Sequence, residues 1–470
     1  MKRNHKSELL VVIFAVLIQT MFIYIILRAS PITDEYCFAS QSREFGVLSS
    51  FNSLLNQWSP SLGYLPTLAI FSLPISGTTI SSILISFSFI ILNIFFILLA
   101  YYLFKPNNKY QALIAYSKTL LIFIIPLSMI QTSGYLNYNQ VFHNPFVSFK
   151  YAFLEIFSFT RDGQLLIWIS QISLTWQKNI MSVMILAIPF VLARYDTELK
   201  YRKIQLVSLS VLFLSYGPNT ESYIFLITLI LFIGYRTLTQ EADVFLFFIT
   251  IMVTLGLLGL SISSGSRNRQ TYFEDLSIEV VSSRFGTVLI QITVIIITGY
   301  IVLKAISNFL EISVSQRFKD TAQSLKIVTR VTVCAGILAN LLVGSFVYIS
   351  TYHWISLTFL IVFWIFMESC LSLKSKTRRK TVLDFISFII IYSIMITSFA
   401  GIGKAANDRE VGWNSRVLEN GQGLPRSLPI YDLKGNLIAF DLNIKSASII
   451  PVEGFIEGAA LVCFKKLINF

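Results

Sequence analysis

Long apolar runs broken by short polar and basic segments dominate the chain from its first residues to residue 402. Stretches 9–27, 80–104, 244–262 and 385–402 are each long enough to cross a hydrocarbon core as an α-helix. The breaks carry the direction of crossing, because loops rich in Lys and Arg stay on the cytoplasmic side. With Met1-Lys2-Arg3-Asn4-His5-Lys6 inside, the first span surfaces outside near Ala29. Lys105 and Lys109, the segment from Arg194 to Lys203, and Lys374-Ser375-Lys376-Thr377-Arg378-Arg379-Lys380 then all fall inside.

Further spans are expected over 78–104, 111–131, 180–192, 287–306, 327–349, 354–373 and 382–402. A hairpin of two short spans turns outside at Gly217-Pro218-Asn219-Thr220-Glu221. Stretch 164–175 is too short to cross and is read as interfacial or dipping. The total is roughly eleven spans, with external loops 30–77, 132–163 and 263–284, a cytoplasmic N-terminus and an external tail, 403–470. The apolar run after the N-terminal bases lacks a small-residue cleavage site, so it is read as an uncleaved first span. In the tail, 428–432 and 437–442 flank Lys434-Gly435-Asn436, a β-hairpin pattern. Residues 454–470 suit a short amphipathic helix on the membrane surface. The expected fold is thus an all-α polytopic membrane domain, 1–402, followed by a small external α/β tail.

Composition narrows the class. Hydrophobic residues make up 54% of the chain and charged residues 13%, about half the share of soluble domains. A globular cytoplasmic enzyme is excluded on that ground. The net charge of +12 would suit nucleic acid, but much of the excess lies in loops that follow the positive-inside pattern. Cys37, Cys334, Cys370 and Cys463 form no CxxC and no Cys/His cluster, so no zinc site is expected. Cys334 and Cys370 lie in apolar runs and are read as packing residues, while Cys37 and Cys463 both fall outside, which leaves a disulfide open. His143 has no companion at ligand spacing and is read as a loop histidine.

Acids are scarce, which gives their positions weight. Asp34-Glu35 follows the first span directly, and an ionisable group at a membrane boundary costs several kcal/mol unless compensated. On this topology the unusual polar residues collect on the external side. They are Asp34 and Glu35, Arg161 and Asp162, Asn219 and Glu221, Arg267, Arg269, Glu274 and Asp275, and Arg409, Arg416 and Arg426. Arginine forks match phosphate oxygens, and a carboxylate at a membrane-edge pocket can serve as a base. The set suits an anionic lipid-linked substrate and an acceptor hydroxyl to be deprotonated. The plain alternatives are a solvated helix cap for Asp34-Glu35, a brace for the turn at Asn219 and Glu221, a local surface pair at Arg161-Asp162 and an ordinary basic loop at Arg267 and Arg269.

Asp34-Glu35-Tyr36 after a first span resembles the GT-C superfamily of membrane glycosyltransferases, in particular bacterial proteins related to O-antigen glucosyltransferases. Ser264-Gly265-Ser266-Arg267-Asn268-Arg269, Gly217-Pro218-Asn219-Thr220-Glu221-Ser222 and Trp413-Asn414-Ser415-Arg416 are similar to short segments of such proteins. The Gly-Ser-Arg segment lacks a proline found in the pattern, and the tail is smaller than in oligosaccharyltransferases. The resemblance implies an enzyme of the bacterial inner membrane that takes a sugar from a polyprenyl-phosphate carrier to a glycan or lipid acceptor on the external face. It implies Asp34 as base or acceptor-orienting acid, Glu35 in support, and Arg267 and Arg269 on the donor phosphate, with Glu221, Asn219 and Arg161 lining the pocket. No cofactor is assigned and no metal ligands are named; a divalent metal stays open. Membrane lipids are the remaining partners expected, and nucleic acid is not. The competing expectations are an O-antigen polymerase or ligase, disfavoured by the tiny loop 351–354, and a transporter or flippase of lipid-linked saccharides, which would carry charges mid-bilayer.

Overall fold

The computed structural model describes residues 5–27, 45–57, 61–73, 77–132, 172–195, 199–239, 243–264, 315–346, 354–372, 429–431 and 437–440, with residues 38, 41 and 42 and scattered positions between 281 and 303. The helices are α1 (His5–Leu27), α2 (Val47–Gln57), α3 (Tyr64–Phe71), α4 (Gly77–Phe104), α5 (Lys109–Thr132) and α6 (Ile172–Leu192), followed by α7 (Leu199–Ser215), α8 (Thr220–Thr239), α9 (Val244–Ser261), α10 (Gln316–Phe346) and α11 (Trp354–Ser372). Two short strands, β1 (Pro429–Tyr431) and β2 (Leu437–Phe440), pair antiparallel. They fall inside the two tail segments with the hairpin pattern.

Four of the described helical stretches are long and apolar enough to cross a membrane: Ile83–Phe104, Thr220–Thr239, Val244–Ser261 and Ala322–Val343. Glu8–Thr20, Ile180–Leu192, Val288–Ile297 and Ser356–Glu368 are apolar but shorter. The chain is therefore a helical membrane protein by length and composition. Among the described residues the count is four, where alternation of charge leads to roughly eleven. The two numbers do not cover the same residues: the expected span 382–402 and part of 287–306 lie outside the described residues. Two boundaries also move. α6 begins at Ile172, so the end of the stretch read as interfacial is continuous with the following helix. α10 begins at Gln316, eleven residues before the expected span at 327.

The helices form one packed series in which α1 lies on α5 and α4, α4 on α6, α6 on α11, α11 on α10, and α10 on α8, with α7 and α9 completing the far side. α11 is the interior helix: Leu357, Phe359 to Phe363 and Ile365 to Met367 are all buried, as expected when the apolar surface runs nearly all round a helix. Aromatic rings tie it to its neighbours. Phe123 of α5 lies 6.1 Å from Phe359 and 6.4 Å from Phe363, and Phe190 of α6 lies 5.3 Å from Phe363. By contrast α9 leaves Phe247, Phe248, Ile251, Met252, Leu255 and Leu258 exposed, a surface suited to lipid. Its start is capped by Asp243, whose Oδ1 accepts from the Phe245 amide at 2.8 Å, satisfying a helix-end donor.

Polar contacts between apolar helices fix the register. Gln19 of α1 donates to Asn93 Oδ1 of α4 at 2.9 Å and to the Tyr116 hydroxyl of α5 at 2.7 Å, and Tyr116 donates to Asn93. Such contacts contribute roughly 0.6 kcal/mol each in a membrane bundle, because the alternative states also find partners. Cys334, read from sequence as a packing residue, is instead exposed on α10 and is free. The inward face of that helix is taken by Val333, Ala335 and Ala339, which turns the cysteine outward by helical period.

Candidate functional site at the Glu221 end

The bundle has two chemically different ends. At the basic end, Arg194 donates to the Tyr102 hydroxyl at 3.2 Å, and Arg236 lies over the Tyr195 ring at 5.4 Å. There, too, Glu368 of α11 bridges Lys326 at 2.7 Å and Arg330 at 2.6 Å from α10. At the opposite end α7 stops, the chain turns, and α8 begins.

That turn follows from its sequence. Gly217 adopts φ +82°, a left-handed conformation open to glycine at little cost. Asn219 then caps α8: its Oδ1 accepts from the Ser222 amide and hydroxyl, each at 2.9 Å, and its Nδ2 donates to the Tyr216 carbonyl at 3.3 Å. The Asn219 amide is thus committed to the turn, the bracing role weighed for it in the sequence. Ser222 Oγ also reaches the carbonyls of Phe213 and Gly217 at 2.9 Å. Burial pushes the Tyr216 hydroxyl up to about 12 from its ordinary value.

Glu221, in the first turn of α8, is completely buried. A helix N-terminus favours negative charge through its exposed amides, which explains the tolerance of an acid there but not its chemistry. The chemistry comes from other helices. Ser356 Oγ of α11 donates to Glu221 Oε1 at 3.0 Å, and Ser182 Oγ of α6 lies 3.1 Å from Ser356 Oγ. Ser182 and Ser356 are also fully buried. Asn340 of α10 is buried as well. Its helix passes α11 and α8 at Gly336, where a Cβ would meet Leu357 Cδ1 at 2.9 Å and Ile224 Cδ1 at 3.9 Å. Asn340 lies one turn beyond Gly336. Its Nδ2 donates to the Gly336 carbonyl at 2.8 Å, while its Oδ1 is buried without a hydrogen-bond partner. Such an atom calls for water or a ligand donor.

The first long loop approaches this end. The Leu62 amide donates to the Ser215 carbonyl at 2.7 Å, and Tyr64 of α3 lies 5.6 Å from the ring of Phe38. On the other flank, the Tyr223 hydroxyl is 2.9 Å from Ser261 Oγ of α9. Of the sequence-named site residues, only Glu221 and Asn219 belong to the described part of the structure, and they are neighbours at one turn. Asp34, Glu35, Arg161, Arg267 and Arg269 lie outside the described residues, as do Cys37, Cys463 and His143. Among the described residues no group of three or more His, Cys, Asp or Glu could hold a metal ion.

Ser182, Ser356 and Asn340 were not legible as site residues. A serine inside an apolar run is common, and only its facing partner on another helix distinguishes it. The one available signal was polarity within a span, which tends to face the bundle interior. No protein family, curated protein or solved structure matches this chain, so the geometry of this end is what bears on its chemistry.

Proposed function

We propose that the chain is a membrane glycosyltransferase of the GT-C type. It moves a sugar from a polyprenyl-phosphate carrier to a glycan or lipid acceptor on the external face of a bacterial inner membrane. The observation that carries this reading is the buried Glu221 carboxylate, with Ser356 and Ser182, at the end of the bundle where the Leu62 amide is bonded to Ser215. Leu62 belongs to the loop 30–77 that also contains Asp34 and Glu35. In the finer form of the proposal that end is external, the N-terminus is cytoplasmic, about eleven spans cross the bilayer, and residues 403–470 form an external tail.

In the proposed reaction the acceptor oxygen bonds to the anomeric carbon as the bond from that carbon to the phosphate oxygen breaks. The phosphate leaves with the bonding pair, and the acceptor proton passes to Asp34, with Glu35 beside it in sequence. Arg267 and Arg269, with Arg161, neutralise the departing phosphate. Glu221 accepts from sugar hydroxyls, and Asn219 holds the turn that presents it. A transport reading is less well supported. Between Glu221 and the basic end, the described residues Ile185, Leu186 and Ile188 of α6 and Phe359, Phe363 and Phe366 of α11 are buried and apolar, which gives a transport path no support along those two helices.

The experiment is transfer from radiolabelled polyprenyl-phosphate hexoses, tested as a panel, in membranes containing the full chain. Asp34→Asn is expected to abolish transfer while expression and insertion stay normal. Full activity in that variant removes Asp34 from the mechanism.

A further inference from the structure

We infer that α2 lies along the bilayer surface at the Glu221 end, with Leu48 and Leu55 turned into lipid, and that its partner is the bilayer interface itself, irrespective of headgroup charge. The inference needs only that the chain is a membrane protein, and it stands apart from the transferase reading.

The helical period sorts the side chains of α2 into three sectors. The first faces the protein: Ser50 is 1% exposed, and Val47, Phe51 and Leu54 pack against the bundle core. Next round the helix come Leu55, half-buried, and Leu48, which is 75% exposed. Beyond them lie Asn52, Asn56 and Ser49, all exposed, with Asn56 Nδ2 donating to the Asn52 carbonyl at 2.9 Å. The apolar arc is therefore wider than the protein covers. Its inner part is taken by the bundle, and its outer part stands between the bundle and the polar sector. A helix lying in a membrane interface beside its own bundle needs that order of protein, lipid and water round its axis. On the other flank, by contrast, polar Ser53 and Gln57 follow directly on the protein-facing sector.

The position of α2 supplies the lipid. α2 packs on α3, and the Leu62 amide just before α3 is bonded to the Ser215 carbonyl, where α7 ends. α3 in turn touches α4, whose stretch Ile83–Phe104 is long and apolar enough to cross a membrane and leaves Ile83 and Phe87 exposed. α2 thus stands at the level where spans end, beside a surface that α4 continues into the bilayer. Its start is fastened in place. Gly46 adopts φ +79°, and Ser50 Oγ and the Phe45 amide both donate to the Gln41 carbonyl, at 2.6 and 2.9 Å. The turn so held leaves Phe45 exposed as well, which adds apolar area next to Leu48. α2 itself has no ionisable side chain. Its binding is driven by buried apolar area, and anionic headgroups, which strengthen the binding of basic helices, add nothing here.

The test uses the full chain with its native cysteines replaced by serine, in nanodiscs of phosphatidylcholine. Nitroxide labels are placed singly through Leu48→Cys, Leu55→Cys, Ser49→Cys, Asn52→Cys and Asn56→Cys, positions that are exposed or half-buried and so leave the core intact. Collisions with oxygen, which concentrates in lipid, are compared with collisions with a nickel chelate, which stays in water. The oxygen-to-nickel ratio is expected to be several-fold higher at Leu48→Cys and Leu55→Cys than at the other three. It is expected to stay the same when phosphatidylglycerol is mixed into the bilayer. A Leu48→Cys label as open to nickel as the Asn52→Cys label overturns the inference in favour of a solvated helix. A label at position 48 screened from both reagents overturns it in favour of a protein cover, such as a second copy of the chain. A high ratio seen only with phosphatidylglycerol overturns the assignment of a charge-independent interface. Loss or presence of glycosyl transfer has no bearing on any of these readouts, so the two proposals fail separately.

Discussion

Glu221 shows how one residue can be noticeable in sequence for one reason and placed in structure for another. In the sequence it is an acid at a tight turn near a membrane face. In the structure it is fully buried in the first turn of α8 and receives a hydroxyl from a helix 135 positions later in the chain. Burial at the same turn has a measurable consequence at Tyr216. An unfolded tyrosine ionises near ~10, and burial holds this phenol up to about 12. A raised value means that the folded form favours the neutral phenol, so its contribution is present below pH ~10 and is lost as pH rises through about 12. Thermal unfolding of the full chain in detergent is expected to fall across that alkaline range, and Tyr216→Phe to remove part of the fall. An identical alkaline profile in the variant would sink the assignment.

At the scale of elements, helix crossings are set by where a side chain is missing as much as by where one is present. Gly336 brings α10 against α11 and α8, with Leu357 Cδ1 2.9 Å from the position of an added Cβ. Replacing it with leucine is expected to cost about 1–3 kcal/mol through overpacking. Gly336→Ala is nearer neutral, because about 1 kcal/mol of helix propensity offsets the local shift of Leu357. Gly234 on α8 is the control, since nothing lies within 4 Å of its added Cβ, and alanine there is expected to stabilise by about 0.4–1 kcal/mol. Melting temperatures in one detergent check all three, and a leucine at 336 as stable as the wild type would show that the crossing is loose. The Gln19, Asn93 and Tyr116 contacts act at the same scale but on the other flank, holding α1, α4 and α5 in register without charge.

At the scale of the whole molecule, the two ends differ in charge while the middle is aromatic and apolar. Glu368 with Lys326 and Arg330, and the arginines over Tyr102 and Tyr195, mark one end; Glu221 and the Leu62–Ser215 contact mark the other. In the orientation we propose, the positive-inside pattern puts the first end on the cytoplasmic side. In a background with the native cysteines replaced by serine, Leu62→Cys is expected to react with an impermeant maleimide on intact cells. Asn108→Cys is expected to react only after the membrane is opened. Labelling of both from the same side would overturn the orientation.

The membrane class was legible in the sequence because hydrophobic transfer is local and additive along a run, so length and composition suffice. The turn at Gly217 and Asn219 was legible for the same reason: a left-handed glycine and a capping amide act within a few residues. Helix bounds were less so, since α10 starts at Gln316, well before the apolar run that marks its span. The sequence by itself thus determined that the chain enters a bilayer, and that a carboxylate follows a tight turn at position 221. Only the tertiary structure decided that Ser356 and Ser182 stand beside that carboxylate, and that Cys334 faces outward. Each of those facts depends on which helix faces which, and buried hydrogen bonds between distant segments leave no period in the chain to read.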